Sequence, residues 1–80
     1  MNEIQRKNMV WMLNKTIKKQ YEWLHKEEIT SALLAHNTIA DICKLLNGEI
    51  TVDAFMLLPK AIPEENELYG ILLFSNKEIS

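Results

Sequence analysis

The feature that most constrains the fold is the absence of glycine and proline from the first 47 residues, since Gly48 is the first of either type. Without them this segment has no strong helix breaker. One helix of that length would be unusual, so weaker signals must divide it. We place breaks near 26–30 and at Asn37-Thr38, where Thr38 and Asp41 form the T-x-x-D pattern of a helix start. The sequence therefore predicts helices at about 3–26, 28–36 and 38–47.

The glycine and proline residues of the rest of the chain mark further helix ends. Asn47-Gly48 is typical of a helix C-terminus that closes on a left-handed residue. Thr51 is a good N-cap for a short helix, VDAFMLLP, which Pro59 ends. Pro63 followed by two glutamates is typical of another helix N-terminus, because acidic side chains are favourable at that end of the dipole.

The segment LYGILLFS, residues 68–75, fits either a helix, which we favour, or a buried strand. We therefore expect an all-α fold for residues 1–80, a small compact domain of three to five helices, with one short C-terminal strand as the alternative. A single core in a chain this short is worth only about 3–5 kcal/mol. Because such chains often rely on a second copy, we expect a dimer.

The first predicted helix carries an apolar stripe at spacings of three and four residues, which we interpret as its core face. The members of the stripe are Val10, Leu13, Ile17, Tyr21 and Leu24. On the opposite side Trp11 lies among Lys7, Lys15 and Lys18, while Met12 and Trp23 share a third edge. Large aromatic side chains encircled by polar groups are typical of interface hot spots. We therefore predict that Trp11, Met12 and Trp23 anchor a partner, with Lys15 and Lys18 as charged residues at the rim of the contact.

The segment from Ile29 to Leu46 is much more apolar than the first helix, and its apolar residues cover about half of the helical circumference. Leu34 and Leu45 fall outside that arc. A helix of this kind in a small protein must be covered on several sides, so we predict that these two leucines form a dimer interface.

The sequence contains no motif for catalysis, a metal or a nucleotide, so we expect neither an enzyme nor a cofactor. Glu22-x-x-His25 has the spacing of ligands in di-metal bundles, but no further glutamates face it. We interpret Cys43 as a small core residue and His36 as a core or interface histidine. A small ligand held at an oligomer seam near His36 is a third functional alternative.

The apolar runs of the chain, MVWML at 9–13 and YGILLF at 69–74, are too short to cross a bilayer. The N-terminus also lacks the features of a signal peptide. We therefore expect a cytoplasmic protein that does not associate with membranes.

The stretch HNTIADICKLLNGEITVDAF, residues 36–55, resembles the middle of a helix-turn-helix in its pattern. Its second helix, however, offers no arginine, asparagine or glutamine to read bases, and Asp53 would repel phosphate. The chain is acidic overall, with a formal charge of −2 and a pI of about 5.6. Its first 26 residues nevertheless carry six basic and two acidic side chains, a charge of +4. The alternative function is thus a nucleic-acid-binding regulator that uses this basic helix or a degenerate helix-turn-helix.

The small size, the lack of catalytic and metal-binding motifs and the exposed aromatic residues together favour a protein-interaction module. Such a module would regulate or inhibit a protein partner. Frequent lysine, asparagine, isoleucine and glutamate suit an AT-rich coding sequence. Compact helical chains of this length are common among regulators and inhibitors of phages and mobile elements.

Overall fold

The computed structural model describes residues 1–79 and is helical in every regular element of that range. Its elements are α1 (Glu3–His25), α2 (Ile29–Leu46), α3 (Val52–Leu57), a 3₁₀ turn (Pro63–Glu65) and α4 (Asn66–Phe74). The all-α prediction is therefore confirmed, and the segment that also fitted a strand lies in α4. The helices α1 and α2 form an antiparallel hairpin, against one side of which the shorter elements pack.

Each end of α1 is closed by side-chain or backbone hydrogen bonds. Asn2 and Gln5 form a reciprocal capping box at its N-terminus, with both N···O distances at 2.8 Å. At its C-terminus Glu27 takes a left-handed conformation, with φ of 60°. The main-chain N–H of Glu28 then donates to the Trp23 carbonyl at 2.8 Å, which completes a Schellman turn. The predicted break near 26–30 is confirmed.

The predicted break at Asn37-Thr38 is wrong, because α2 runs without interruption through both residues. Thr38 is buried and its hydroxyl donates to the Leu34 carbonyl one turn earlier, at 3.2 Å. The same oxygen accepts from the main-chain N–H of Ala61, at 2.9 Å. Threonine therefore serves here as a polar contact between α2 and the segment after α3, a role that its local sequence does not reveal.

The later helix ends agree with the sequence signals. Gly48, with φ of 74°, closes α2, and the Thr51 hydroxyl accepts from the Ala54 N–H at the start of α3. Pro63 begins the 3₁₀ turn that leads into α4.

The core lies between the α1–α2 hairpin and the layer formed by α3 and α4. Phe55 and Tyr69 pack edge to face at its centre, with ring centroids 5.4 Å apart and planes at 63°. The buried apolar side chains that surround this pair are Met9, Met12, Ile42, Leu45, Leu72 and Leu73.

The apolar stripe that we predicted as the core face of α1 is not the face that α3 and α4 cover. Val10, Tyr21 and Leu24 remain 45%, 69% and 46% exposed, and Leu13 and Ile17 are only partly buried. The covered face instead carries Met9 and Met12 together with two polar residues, Asn8 and Thr16.

The polar residues of the covered face are buried because the fold satisfies their hydrogen bonds. Asn8 donates to the carbonyls of Leu72 and Lys77, at 3.0 and 2.8 Å, and accepts from the Ile79 N–H at 2.8 Å. Asn8 therefore fixes the extended C-terminal residues against α1.

Candidate interaction surface

The first predicted anchor, Trp11, is partly buried against the core rather than freely exposed. The ammonium of Lys15 lies 5.3 Å from the Trp11 ring centroid and 3.2 Å from Oε2 of Glu65. Lys15 therefore shields the tryptophan and joins α1 to the 3₁₀ turn, so much of this pair is already in use within the protein.

The second predicted anchor, Trp23, is also partly buried, and Lys19 lies 6.0 Å from its ring centroid. It lines a narrow, partly open cleft of about 10 Å³ at the joint between α1 and the segment before α4, a space for no more than about one water molecule. The joint offers little room for a partner's side chain.

The prediction that Met12 binds a partner is wrong for this conformation, because Met12 is fully buried among Phe55, Tyr69 and the leucines of α4. Its position beside the apolar stripe suggested exposure only because the wrong face of α1 was assigned to the core. Of the five predicted anchor and rim residues, Lys18 alone is exposed. The structure does not bring the five together in one accessible surface.

The lysine side of α1 is partly neutralised by acidic neighbours. Lys7 lies 3.2 Å from Glu78 and 3.8 Å from Glu3, and both carboxylates, Glu78 first, raise the pKa of its ammonium. With Lys15 bound to Glu65, two of the three lysines around Trp11 have carboxylate partners.

The exposed apolar surface of α1 lies on the side of the helix away from α3 and α4. Since residues advance by about 100° around a helix, it is centred about 160° from Asn8, which contacts α4. It is about 80° wide and follows alternating spacings of three and four residues. Its members are the exposed Val10 and Leu24 and the partly buried Leu13, Ile17 and Gln20, with the exposed Tyr21 at its margin. Leu13 also packs against the core.

A matching stripe runs along α2 on the same side of the hairpin. It is again about 80° wide and is centred about 180° from Thr38, the residue that contacts the segment after α3. Ile29 and Leu33 are its most exposed apolar residues, at 54% and 60%. Its members are Ile29, Leu33, His36, Ala40 and Cys43.

The two stripes meet in an open groove of about 240 Å³ between the helices. Leu24 and Gln20 line it from α1, and Ile29, Leu33 and His36 line it from α2. We refer to the ten residues of the two stripes as the outer face. Val10, Leu24, Ile29 and Leu33, together with Tyr21 at the margin, expose on the order of 500 Å². This is the size of the largest apolar patch on a typical monomer, a patch that is often functional.

Cys43 and Leu45 lie on the sides of α2 opposite to those that we expected. Cys43 is exposed on the outer face, so the prediction of a core cysteine is wrong. Leu45 is buried in the core, so it cannot form the predicted dimer interface. The short helices do not cover the most continuous apolar arc of α2. For this reason Cys43 is exposed where we predicted burial, and Leu45 is buried where we predicted exposure.

Leu34 is exposed, as its predicted role in a dimer requires, but it does not belong to the outer face. It lines a separate groove of about 390 Å³ in which Asn37, Asp41 and Lys44 place polar groups.

Lys60 is a buried lysine whose ammonium group is stabilised by neighbouring main-chain carbonyls and an aromatic ring. Its ammonium donates to the carbonyls of Phe55 and Leu58, at 2.8 and 2.5 Å, and lies 4.5 Å from the Phe55 ring centroid. Burial lowers the pKa of Lys60, and the nearby Asp41 carboxylate acts in the opposite direction. Lys60 therefore binds the main-chain carbonyls at the C-terminus of α3.

The other strongly perturbed group is also part of the core. Burial raises the pKa of Tyr69 to about 12, while a hydrogen bond with Thr16 opposes that rise. Among residues 1–79, no three histidine, cysteine, aspartate or glutamate side chains are grouped to hold a metal ion. The chemistry that the outer face itself supports is apolar association.

Comparison with known proteins returns no protein-family model, no curated protein and no solved structure that matches the chain. Within the part of the chain that the structure describes, no helix combines the length and the apolar character needed to cross a membrane.

Proposed function

We propose that the protein is a small interaction module that binds a protein partner through the outer face and thereby regulates or inhibits that partner. The observation that carries the proposal is the exposure of two adjacent apolar stripes on one side of the α1–α2 hairpin. Leaving these side chains in water costs free energy that a partner would recover by covering them.

The spacing of the stripes indicates the kind of surface that fits them. Apolar residues that alternate at three and four positions are typical of helices that pack side by side in bundles. The partner therefore presents apolar helical side chains to the groove between Leu24 and Leu33. Occlusion of such a surface on the partner is the simplest route from binding to regulation.

Capture of the partner tests this proposal with a matched pair of variants. Leu33→Glu places a charge in the outer face, whereas Leu57→Glu places the same charge on α3, where Leu57 is 87% exposed. Neither change disturbs the core, so circular dichroism spectra should match that of the wild type. Tagged wild type and both variants are used to capture proteins from a cell lysate, with quantitative mass spectrometry as the readout.

We expect the wild type and Leu57→Glu to retain one stoichiometric protein, and Leu33→Glu to retain at least about tenfold less, because a carboxylate would be buried in the contact. Equal capture by all three baits would contradict the proposed surface.

The nucleic-acid alternative has less support, since carboxylates neutralise Lys7 and Lys15 on the basic side of α1. The same capture experiment addresses it when it is repeated at low and moderate salt. Recovery of nucleic acid alone, lost as salt rises, would favour that alternative over a protein partner.

A further inference from the structure

We infer that a second copy of this chain occupies the outer face, with its α1–α2 hairpin antiparallel to the first, so that the two hairpins form a four-helix bundle. The inference rests on the proposal that the outer face is a protein-binding surface. The second copy and a regulated partner use the same face, so they compete for it.

The first argument is the equal length of the two stripes. One extends from Val10 to Leu24 and the other from Ile29 to Cys43, so each covers about 21 Å of helix. Their midpoints are Ile17 and His36, which lie at the same level of the antiparallel hairpin. A half-turn about an axis through this level, in the plane of contact and across the helices, places each stripe on its equivalent in the other copy.

The second argument is the area available for contact. The five most exposed apolar side chains of the surface contribute on the order of 500 Å², and His36, Cys43 and the partly buried Leu13 and Ile17 add to it. The five side chains alone supply more than half of the roughly 800 Å² that each partner contributes to a standard stable interface.

The third argument is the distribution of charge at the ends of the hairpin. Arg6 and Lys44 lie at the end where α1 begins and α2 ends, and Glu27 and Glu28 lie in the turn at the other end. Lys7 adds a positive charge at the first end, whereas Glu3 and Glu49 at that end and Lys26 in the turn reduce the difference without cancelling it. An arrangement with the turns at opposite ends brings basic residues of one copy near acidic residues of the other, whereas turns at the same end would bring the four glutamates together.

The arrangement makes a specific prediction for cross-linking. Residues at position 36 of the two copies lie next to each other at the axis, while the two Cys43 residues are about 21 Å apart, beyond the reach of a disulfide. Cys43 is the single cysteine of the chain, so the wild type is its own control. The test variant carries His36→Cys together with Cys43→Ser, and both positions are exposed.

The experiment is mild oxidation, followed by non-reducing electrophoresis, beside light scattering of the unmodified wild type. We expect the wild type to have the mass of a dimer and the double variant to give at least about tenfold more covalent dimer than the wild type. A wild type that is monomeric at high concentration would overturn the inference, as would a dimer in which Cys43 cross-links and position 36 does not.

Failure of this inference is distinguishable from failure of the proposed function. A monomeric chain that captures another protein in a Leu33-dependent manner would remove the second copy as the occupant and leave the outer face as the binding surface.

Discussion

Glu27 and Gly48 occupy the same position in two equivalent helix ends, each with a left-handed backbone, at φ of 60° and 74°. Each is followed by a residue whose N–H returns to a carbonyl of the preceding helix, Glu28 to Trp23 and Glu49 to Lys44. Glycine adopts this conformation without steric cost, whereas glutamate does not. We therefore expect Glu27→Gly to raise the free energy of unfolding by about 0.5–1 kcal/mol.

The matched variant at the end of α2 should act in the opposite direction. Gly48 has no neighbouring atom within 4 Å of an added Cβ, so Gly48→Ala tests the backbone alone. We expect a loss of about 1 kcal/mol in urea unfolding experiments. Changes of the same sign at both positions would show that the left-handed conformation does not determine these effects.

Lys60 should stabilise the protein even though burial lowers its pKa. Replacement by methionine in Lys60→Met keeps much of the volume. It removes the donor of the Leu58 carbonyl and leaves the Phe55 carbonyl with only the Leu58 N–H, at 3.1 Å. We expect a loss of about 1–3 kcal/mol in the free energy of unfolding. Lys18→Met, at an exposed position, should change it by less than about 0.5 kcal/mol. An equal effect of both substitutions would argue against the role of Lys60 at the end of α3.

Tyr69 should make stability depend on pH in the alkaline range. Its pKa is about 12 in the folded protein and near 10 when unfolded, so above pH 10 the unfolded chain loses this proton first. Stability therefore falls as pH rises from 10 towards 12, by about 1–2 kcal/mol.

Tyr69→Phe should remove that part of the decline, which unfolding experiments at about pH 9 and about pH 11.5 would measure. Tyr21→Phe is the control, because Tyr21 is exposed. Identical pH dependence in the wild type and Tyr69→Phe would show that this hydroxyl does not titrate as we describe.

Asn8 should hold the C-terminal residues in place, because it makes three hydrogen bonds to the main chain there. We expect Asn8→Ala to destabilise the protein by about 1–3 kcal/mol and to accelerate hydrogen exchange at the Ile79 amide. Asn14→Ala, at an exposed position of α1, serves as the control. Unchanged exchange at Ile79 would indicate that packing of its side chain is sufficient.

Local signals in the sequence were enough to predict most helix ends. The left-handed turn at Gly48, the cap at Thr51 and the proline at position 63 each act through the backbone of a few neighbouring residues. Thr38 is the exception, because its hydroxyl bonds both within α2 and to Ala61, a residue distant in sequence.

The assignment of faces could not be predicted in the same way. Periodicity correctly identified the stripe that contains Val10, Ile17 and Leu24, but it does not determine which stripe the rest of the chain covers. The covered side of α1 includes two polar residues. Asn8 is satisfied by main-chain groups far away in sequence, and the Thr16 hydroxyl donates to the Met12 carbonyl one turn earlier. The same error led to the wrong placement of Met12, Cys43 and Leu45.

The apolar pattern of the two long helices already indicates that one apolar face stays uncovered. The region from Ile29 to Leu46 is apolar on more sides than two short helices can cover, which was the basis for predicting a dimer. The alternating spacing in both long helices identifies the surface left over once Phe55, Tyr69 and their neighbours have filled the core.

The most direct test of association through the outer face is sedimentation equilibrium of the wild type, Leu33→Glu and Leu57→Glu over a range of concentrations. The wild type and Leu57→Glu should fit twice the 9.3 kDa chain mass, and Leu33→Glu should fit the chain mass itself, with dimerisation weakened at least about tenfold. The same mass for all three proteins would contradict association through this face.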